Sequence, residues 1–533
     1  MALPISPIRS AEAGPDSTPL PFGPTPVAGL RASAWERLWA QYRAPLTYVA
    51  FFGLIWTLVS GALDPTVPYD AVEALNWARN AEWGTPKNPW LTGLAFWPAL
   101  GLRGPAQAVY WYASHFAAVA VGLLGVWQLA LRLTRRRELA WLAMLSLNVS
   151  GVLNVDILPY NDNFLLVMLW PWMLYLLVRA AFDTPTAWPL FAVVAGLAAM
   201  TKYSTFALIG MVFLLTLLSP ELRRNYRSPW FALAVAIFLL MVLPNIWWLA
   251  HHDFAAFRWV GDQVRERLNL RGLKATVSAF YPIAVLAIAI LLCGARLRRP
   301  TSPEVRAPLL LLTRVLLLPL VPIVAYFTVF DGGRVTEWLQ PFAVPAPALL
   351  VACVAGARSG SGQEVSVRRA IVGFAGAAAI VVVVYAFFLC ANVKNAGQKF
   401  SGLKTLSVVL DQRWRDRYGA PLRYVGGHPV SHWLTFYVPG NPYLLSAWSN
   451  AARPNIYTYD IDEANVRRDG ALLLGTPDVR CDDADFSAVL AQWPTLKIDT
   501  TEDVLFSFHR DAKQKQKHLC VALVAPAAPP EEH

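Results

Sequence analysis

Of 533 residues, 56% are hydrophobic and only 15% are charged, against roughly 25% charged in soluble domains. One soluble core rarely grows past about 250–300 residues, so length and apolar runs together imply a large membrane domain with an appendage. The net charge of +11 does not indicate a nucleic-acid partner, because the Lys and Arg residues fall in short clusters between apolar runs, where membrane topology places them.

Residues 1–45 are rich in Pro, Ala and Ser, with Arg9, Arg31, Arg37 and Arg43 scattered through them. No apolar run follows directly, as a cleavable signal would require, and a flexible cytoplasmic tail is expected. From 46 to 391 come apolar stretches of about 20 residues, the length that crosses a bilayer. Spans are expected near 46–62, 106–132, 138–155, 163–182, 186–201, 204–220, 229–250, 276–295, 307–330, 338–357 and 369–391. That is about eleven, with 186–220 also readable as one broken helix pair. Between the first two spans, 63–105 is too polar to cross. Its apolar piece "PWLTGLAFWPALGL" suits helices lying in the interface, the depth that Trp prefers.

Arg135-Arg136-Arg137, Arg223-Arg224 with Arg227, Arg296 with Arg298-Arg299, and Arg368-Arg369 fall on one side of this map. Basic loops stay in the cytoplasm, so 63–105, the loops near 156–162 and 251–275, and everything after 392 face outward. Loop 251–275 breaks the rule with Arg258, Arg265, Arg267, Arg271 and Lys274. It is either an ordinary solvated loop or a surface for an anionic substrate. Residues 392–533 shift to short alternating segments, "LRYVGG", "WLTFYV", "ALLLGT", "LKIDTT" and "HLCVALV", bounded by Gly, Pro and Asp. A small mixed α/β domain outside the membrane is expected, with these segments as strands.

The five cysteines show no CxxC or Cys/His metal spacing. Cys293, Cys353 and Cys390 lie in apolar spans and act as small hydrophobes. Cys481 and Cys520 are the two in the outer domain, where an oxidising periplasm favours a bridge. Closing a loop of about forty residues is worth roughly 3–4 kcal/mol in the chain-entropy model.

The acidic groups carry the strongest chemical signal. In "VPYDAVEALNWARNAEWGTPKNPWL", Asp70 and Glu73 are three residues apart and share a helix face. Asp70 falls just past the outer end of the first span. Asp162 opens the fourth span in "LPYNDNFLLVMLW". Either acid also serves as an ordinary helix-terminal residue. Lys202, beside Tyr203 in "GLAAMTKYST", lies between two apolar stretches. A lysine there is costly and marks a functional site unless it snorkels to the interface. "LPNIWWLAHHDFAAFRWV" ends a span with His251, His252 and Asp253, a hydrated pair or part of a divalent-metal site.

Taken in order, the acidic helix start, "KNPWL", "NDNFLLVMLWPWMLYLLVRA", "GLAAMTKYST" and "PNIWWLAHHDFAAFRW" resemble bacterial glycosyltransferases of the GT-C type. The resemblance covers about residues 46–345. It is closest to the family-39-like group that includes the aminoarabinose transferase of lipid A and relatives of protein O-mannosyltransferases. "RVTEWLQP" carries Glu337 where the family usually has His, and "KNPWL" replaces the commoner Lys-Pro-Pro-Leu, which leaves the sugar open. The resemblance implies a polytopic GT-C membrane domain with a periplasmic α/β domain, at the inner membrane with its amino terminus inside. The implied reaction transfers a sugar from a polyprenyl-phosphate donor to an envelope lipid, polysaccharide or protein acceptor. It places the catalytic acid at Asp70 and a second carboxylate at Asp162. Lys202 with Tyr203, Lys87 and Arg334 become phosphate ligands, and Glu73 and His252 fall near positions where some relatives hold a divalent ion. A lipid or glycan transporter is the competing class. Against it, no inverted repeat is visible and the acids gather at one face.

Overall fold

The computed structural model describes residues 34–64, 66–154, 163–262, 264–266, 271–332, 335–355, 366–390, 402–445, 461–507 and 516–527. The chain divides into two compact units, Met1–Ala44 and Pro45–His533. The described part of the first, 34–44, is helical.

Helix α1 (Ala34–Leu63) is followed by two short helices, α2 (Tyr69–Asn80) and α3 (Leu91–Phe96). Helix α4 (Pro105–Thr134) begins with Pro at its first turn, where the missing N–H has no partner to lose. It stops at Arg135, in the left-handed region with φ 56°. After α5 (Arg137–Ser146) comes α6 (Asn163–Val178), whose "NFLLVMLWPWMLYLLV" is apolar all round and buried along nearly its whole length. Helix α4 approaches α6 so closely that a Cβ at Gly122 would collide with the Val167 carbonyl.

A turn at 200–204 separates α7 (Trp188–Ala199) from α8 (Thr205–Leu218), and α9 (Pro220–Arg223) leaves α8 through a 98° bend. Next are α10 (Pro229–His251), α11 (Ala255–Asp262), β1 (Val264–Glu266), α12 (Arg271–Leu292), α13 (Pro303–Val329) and β2 (Phe330–Gly332). Strands β1 and β2 pair antiparallel. Helices α14 (Val335–Ala343), α15 (Ala346–Ala355) and α16 (Arg368–Cys390) complete the apolar series.

Among the described residues, seven helices are long and apolar enough to cross a bilayer, or eight if α8 and α9 form one span. The chain is a multi-pass membrane protein, and this count does not reach the expected eleven. Each expected stretch is at least partly helical; four are too short or too broken to qualify. Helix α5 gives way to 3-10 turns after Ser146, and α7 ends at Ala199. Helix α8 stops before Pro220, which disfavours helix in the residue preceding it. The stretch 338–357 is split at Val344-Pro345. A hydropathy window averages across such breaks.

Beyond α16 the structure becomes mixed: α17 (Leu403–Tyr418), β3 (Tyr424–Gly427), α18 (His432–Tyr437), β4 (Tyr443–Leu445), α19 (Glu463–Asp469), β5 (Ala471–Leu474), α20 (Ser487–Gln492), β6 (Thr500–Ser507) and β7 (Gln516–Val524). The sheet order is β4-β3-β5-β7-β6. Strand β3 runs parallel to both β4 and β5, while β7 is antiparallel to β5 and β6. "LKIDTT" contributes only Thr500 and Thr501 to a strand. "WLTFYV" is a correction, because it lies in α18 and not in a strand. Pro429 starts a 3-10 turn ahead of it, and His432 through Phe436 are all buried, so no period of two is present.

Cys481 and Cys520 are disulfide-bonded, with Cα atoms 4.8 Å apart and a sequence separation of 39. Thiol titration of denatured, unreduced protein should find three free thiols, those of Cys293, Cys353 and Cys390. Five would remove the bridge.

Helix α18 docks the α/β layer onto α2. Trp433 Nε1 donates to the Val67 carbonyl at 3.0 Å, and the Val67 N–H donates to Tyr437 Oη at 2.8 Å. Asn76 Nδ2 donates to Thr435 Oγ1 at 3.0 Å. The Arg79 guanidinium lies 3.3 Å from the Tyr443 ring centroid and donates to the Asn441 carbonyl. His432 sits in this seam with its ring 5.1 Å from that of Tyr69. Burial, with His428 nearby, pushes its pKa from 6.5 down to about 3.

The folded state therefore requires the neutral imidazole. The stabilisation is complete above the unfolded pKa near 6.5 and is lost as pH falls toward 3, by about 1.4 kcal/mol per pH unit. Between pH 6.5 and 4.5, proteolysis or hydrogen exchange of the α/β layer should report a loss of roughly 2 kcal/mol. His432→Gln should flatten that slope apart from a smaller part due to His428, which burial also shifts down. An equal slope in both proteins would assign the effect elsewhere.

Candidate active site

The α2–α3 loop, the α7–α8 break, α6, α10 and α14 are joined by hydrogen bonds. The α2–α3 loop is folded into a tight turn: Thr85 N–H donates to the Asn88 carbonyl at 2.9 Å, and Asn88 N–H donates to Thr85 Oγ1 at 2.8 Å. Gly84 brings this turn against Trp248 of α10, where a Cβ would collide with the indole. Asn245 Nδ2 donates to the Trp83 carbonyl at 2.8 Å, and Trp248 Nε1 donates to Glu82 at 2.9 Å. The Leu91 N–H donates to the Met200 carbonyl at 2.9 Å, which ties the loop to the α7–α8 break.

Asp70 occupies the first turn of α2, where backbone N–H groups lack intrahelical partners. It is only 8% exposed. One turn on, Glu73 accepts from Lys87 Nζ at 2.6 Å, their side chains being 3% and 7% exposed. The lysine lies between two indoles, 5.7 Å from the Trp77 ring and 5.6 Å from that of Trp259. The "KNPWL" turn thus delivers a cation to the face of α2 that carries Glu73.

Lys202 projects from the α7–α8 break, and its Nζ donates to Asn163 Oδ1 at 3.2 Å. Asn163 Nδ2 in turn donates to Gln340 Oε1 of α14 at 2.9 Å. Tyr203 Oη donates to Asn245 Oδ1 at 3.2 Å. Lys202 and Tyr203 are thereby fixed by amides from three other helices. Asn163, Asn245 and Gln340 did not figure among the sequence candidates. Their signal was present, since each is an amide inside an apolar stretch, and all three are buried. Such groups are placed only where a partner is waiting.

His252 stacks on Trp248 with ring centroids 4.1 Å apart, and its Nδ1 contacts the Trp248 carbonyl at 2.7 Å. Glu73 is engaged by Lys87. Among the described residues no group of three or more His, Cys, Asp or Glu side chains could hold a metal ion. Glu73, engaged by Lys87, and His252 do not by themselves supply the donor set a divalent ion needs. Arg258 pairs with Asp253 at 3.4 Å. Asp162 and Arg334 lie outside the described residues, as do Arg267 and the side chains of Arg265, Arg271 and Glu337.

Residues 85–248, which include the Lys87 turn, Lys202 and Asn245, match the family described as dolichyl-phosphate-mannose-protein mannosyltransferase. The structure is similar to crystal structures of ArnT from Cupriavidus metallidurans, at 14% identity to the apo form and 15% to the form bound to undecaprenyl phosphate. In each comparison 90% of this chain and 98% of the other are covered, with a TM-score of 0.54. No curated protein matches the sequence. The likeness establishes the fold: a polytopic helical membrane domain with a carboxy-terminal α/β domain.

Proposed function

We propose that the protein is a glycosyltransferase moving a sugar from a polyprenyl-phosphate donor to an envelope acceptor, on the periplasmic side of the inner membrane. What carries the reading is the pairing, in an ArnT-like fold, of a nearly buried Asp70 just beyond the first span with Lys202 at a break between two apolar helices. The acceptor oxygen attacks the anomeric carbon as its proton passes to Asp70. The bond from that carbon to the phosphate oxygen breaks, and the electron pair leaves with the polyprenyl phosphate. A phosphate leaving group needs charge stabilisation more than protonation; Lys202, with Tyr203 beside it, is assigned that role, and Arg334 and Lys87 are further ligands. Asp162 is assigned to positioning the acceptor. The amino terminus is cytoplasmic and the α/β domain periplasmic in this reading, consistent with the clusters at Arg135–Arg137 and Arg223–Arg227.

Mass spectrometry of envelope lipids and polysaccharides from a deletion strain tests it directly. A missing hexose, pentose or uronic acid mass is expected, and an unchanged envelope would overturn the assignment. For the donor site, Lys202→Ala should weaken binding of undecaprenyl phosphate by about 10–100-fold, the worth of a charge-assisted hydrogen bond. Lys202→Arg should lose less. If both variants bind like wild type, Lys202 is not a phosphate ligand.

A further inference from the structure

A cavity of about 600 Å³ lies between α12, α13, α14 and α15, and none of the candidate active-site residues lines it. Its charged lining residues are Arg299, Arg306 and Arg314, and it contains no acid. The three guanidinium groups are exposed, and among the described residues none of them forms an ion pair or a hydrogen bond. Two other arginines, by contrast, are matched: Arg135 pairs with Glu304 at 2.7 Å and Arg132 with Asp183 at 2.5 Å.

Arg314 is the informative member. It interrupts the apolar run "LLLLTRVLLLPL" of α13, eleven residues after Pro303, or about 16 Å along the axis. A charge at that depth is expensive without a partner and marks a binding site by default. Arg306 lies eight residues nearer the helix start, about 12 Å away along the axis. The rest of the wall is largely apolar, with Leu310, Leu317, Leu320, Phe342 and Leu349 among its residues.

The position sets the leaflet. Helix α13 runs into β2, and β2 pairs with β1 beyond α11, beside the end of α10 that carries Trp248. The carboxy-terminal end of α13 is therefore on the candidate active-site side, and the arginines line its amino-terminal half. The Arg135–Glu304 pair joins that end to the basic cluster, which the positive-inside rule places in the cytoplasm. A lipid of that leaflet meets a basic pocket between helices, with walls suited to its acyl chains.

We infer that this cavity holds an anionic phospholipid of the cytoplasmic leaflet, its phosphate held by Arg299 and Arg306 and drawn inward by Arg314. The inference does not depend on glycosyl transfer. The test uses full-length, delipidated protein in detergent, with phosphatidylglycerol, phosphatidylcholine and undecaprenyl phosphate as separate probes, read by native mass spectrometry and by the shift in unfolding temperature. Phosphatidylglycerol should bind wild type and raise its unfolding temperature by several degrees. Phosphatidylcholine should do neither. Arg306→Gln and Arg314→Leu should each cut phosphatidylglycerol binding at least 10-fold, and Arg314→Lys should retain more of it. Arg314→Leu removes a charge from an apolar helix, and Arg306→Gln lies at the helix start, so one variant remains readable if the other folds poorly. Equal binding of both phospholipids, or variants that bind phosphatidylglycerol like wild type, would overturn the proposal. So would undecaprenyl phosphate binding through these arginines in preference to phosphatidylglycerol, since the occupant would then be the carrier lipid.

Discussion

Replacing Asp70 by Asn should reduce sugar transfer by about 10²–10⁴-fold, the usual contribution of a positioned general base. The substitution keeps the shape of a side chain that is nearly buried in the first turn of α2 and removes its charge and its capacity to accept a proton. Donor binding should be unchanged, because the base acts on the acceptor and the phosphate is assigned to Lys202 and its neighbours. Folding should be unchanged too: α2 is held by the Glu73–Lys87 pair and by the α18 seam through Val67 and Asn76. The measurement is single-turnover transfer by purified protein, with undecaprenyl-phosphate binding determined on the same sample. A variant that binds donor and transfers at near wild-type rate would end the assignment of Asp70 as base, whatever sugar is used.

Much of this site could be read before any coordinates, because membrane-embedded polar residues are costly enough to stand out. Lys202 was visible as a charge placed where hydropathy offers it no reason to be, and Asp70 as an acid just past the outer end of the first span on a face shared with Glu73. The partners were harder to see. Asn163, Asn245 and Gln340 are uncharged and hardly lower the mean hydropathy of their stretches, yet they hold Lys202 and Tyr203 in place. Which cation meets which acid was also hidden. Lys87 was read as a phosphate ligand and Glu73 as a metal ligand, but the turn at Thr85–Asn88 brings the two together at 2.6 Å. Only the local geometry of that turn, with Gly84 pressed on Trp248, decides this.

The fold was legible to the same depth. Apolar stretches found the helices and the gap at Lys202 but not the break near Pro345, and the breaks at 200–204 and near Pro345 are what the site is built from: one presents Lys202, and the other lets α14 offer Gln340. The α18 segment failed for a related reason. It was grouped with the short alternating segments expected as strands, whereas its five successive residues His432–Phe436 are all buried in a helix. Local pattern is a weak guide wherever both faces of an element are covered.

Breaking the Glu73–Lys87 pair should have the largest effect on stability. Lys87→Met removes the cation and leaves a carboxylate that is 3% exposed, which costs about 3–5 kcal/mol when a buried ion pair loses one partner. The double variant Glu73→Leu/Lys87→Met removes both charges and should regain most of that loss, since replacing a buried pair by apolar side chains of similar volume is close to neutral. Thermal unfolding of the three proteins in one detergent measures this. The same samples separate the two roles open to Lys87. If it only fastens the α2–α3 turn, the double variant recovers donor binding together with stability. If it also touches the donor phosphate, stability returns while undecaprenyl-phosphate binding stays weak. A Lys87→Met protein as stable as wild type would show that the carboxylate has found water, and that the pair does not hold α2 against its loop.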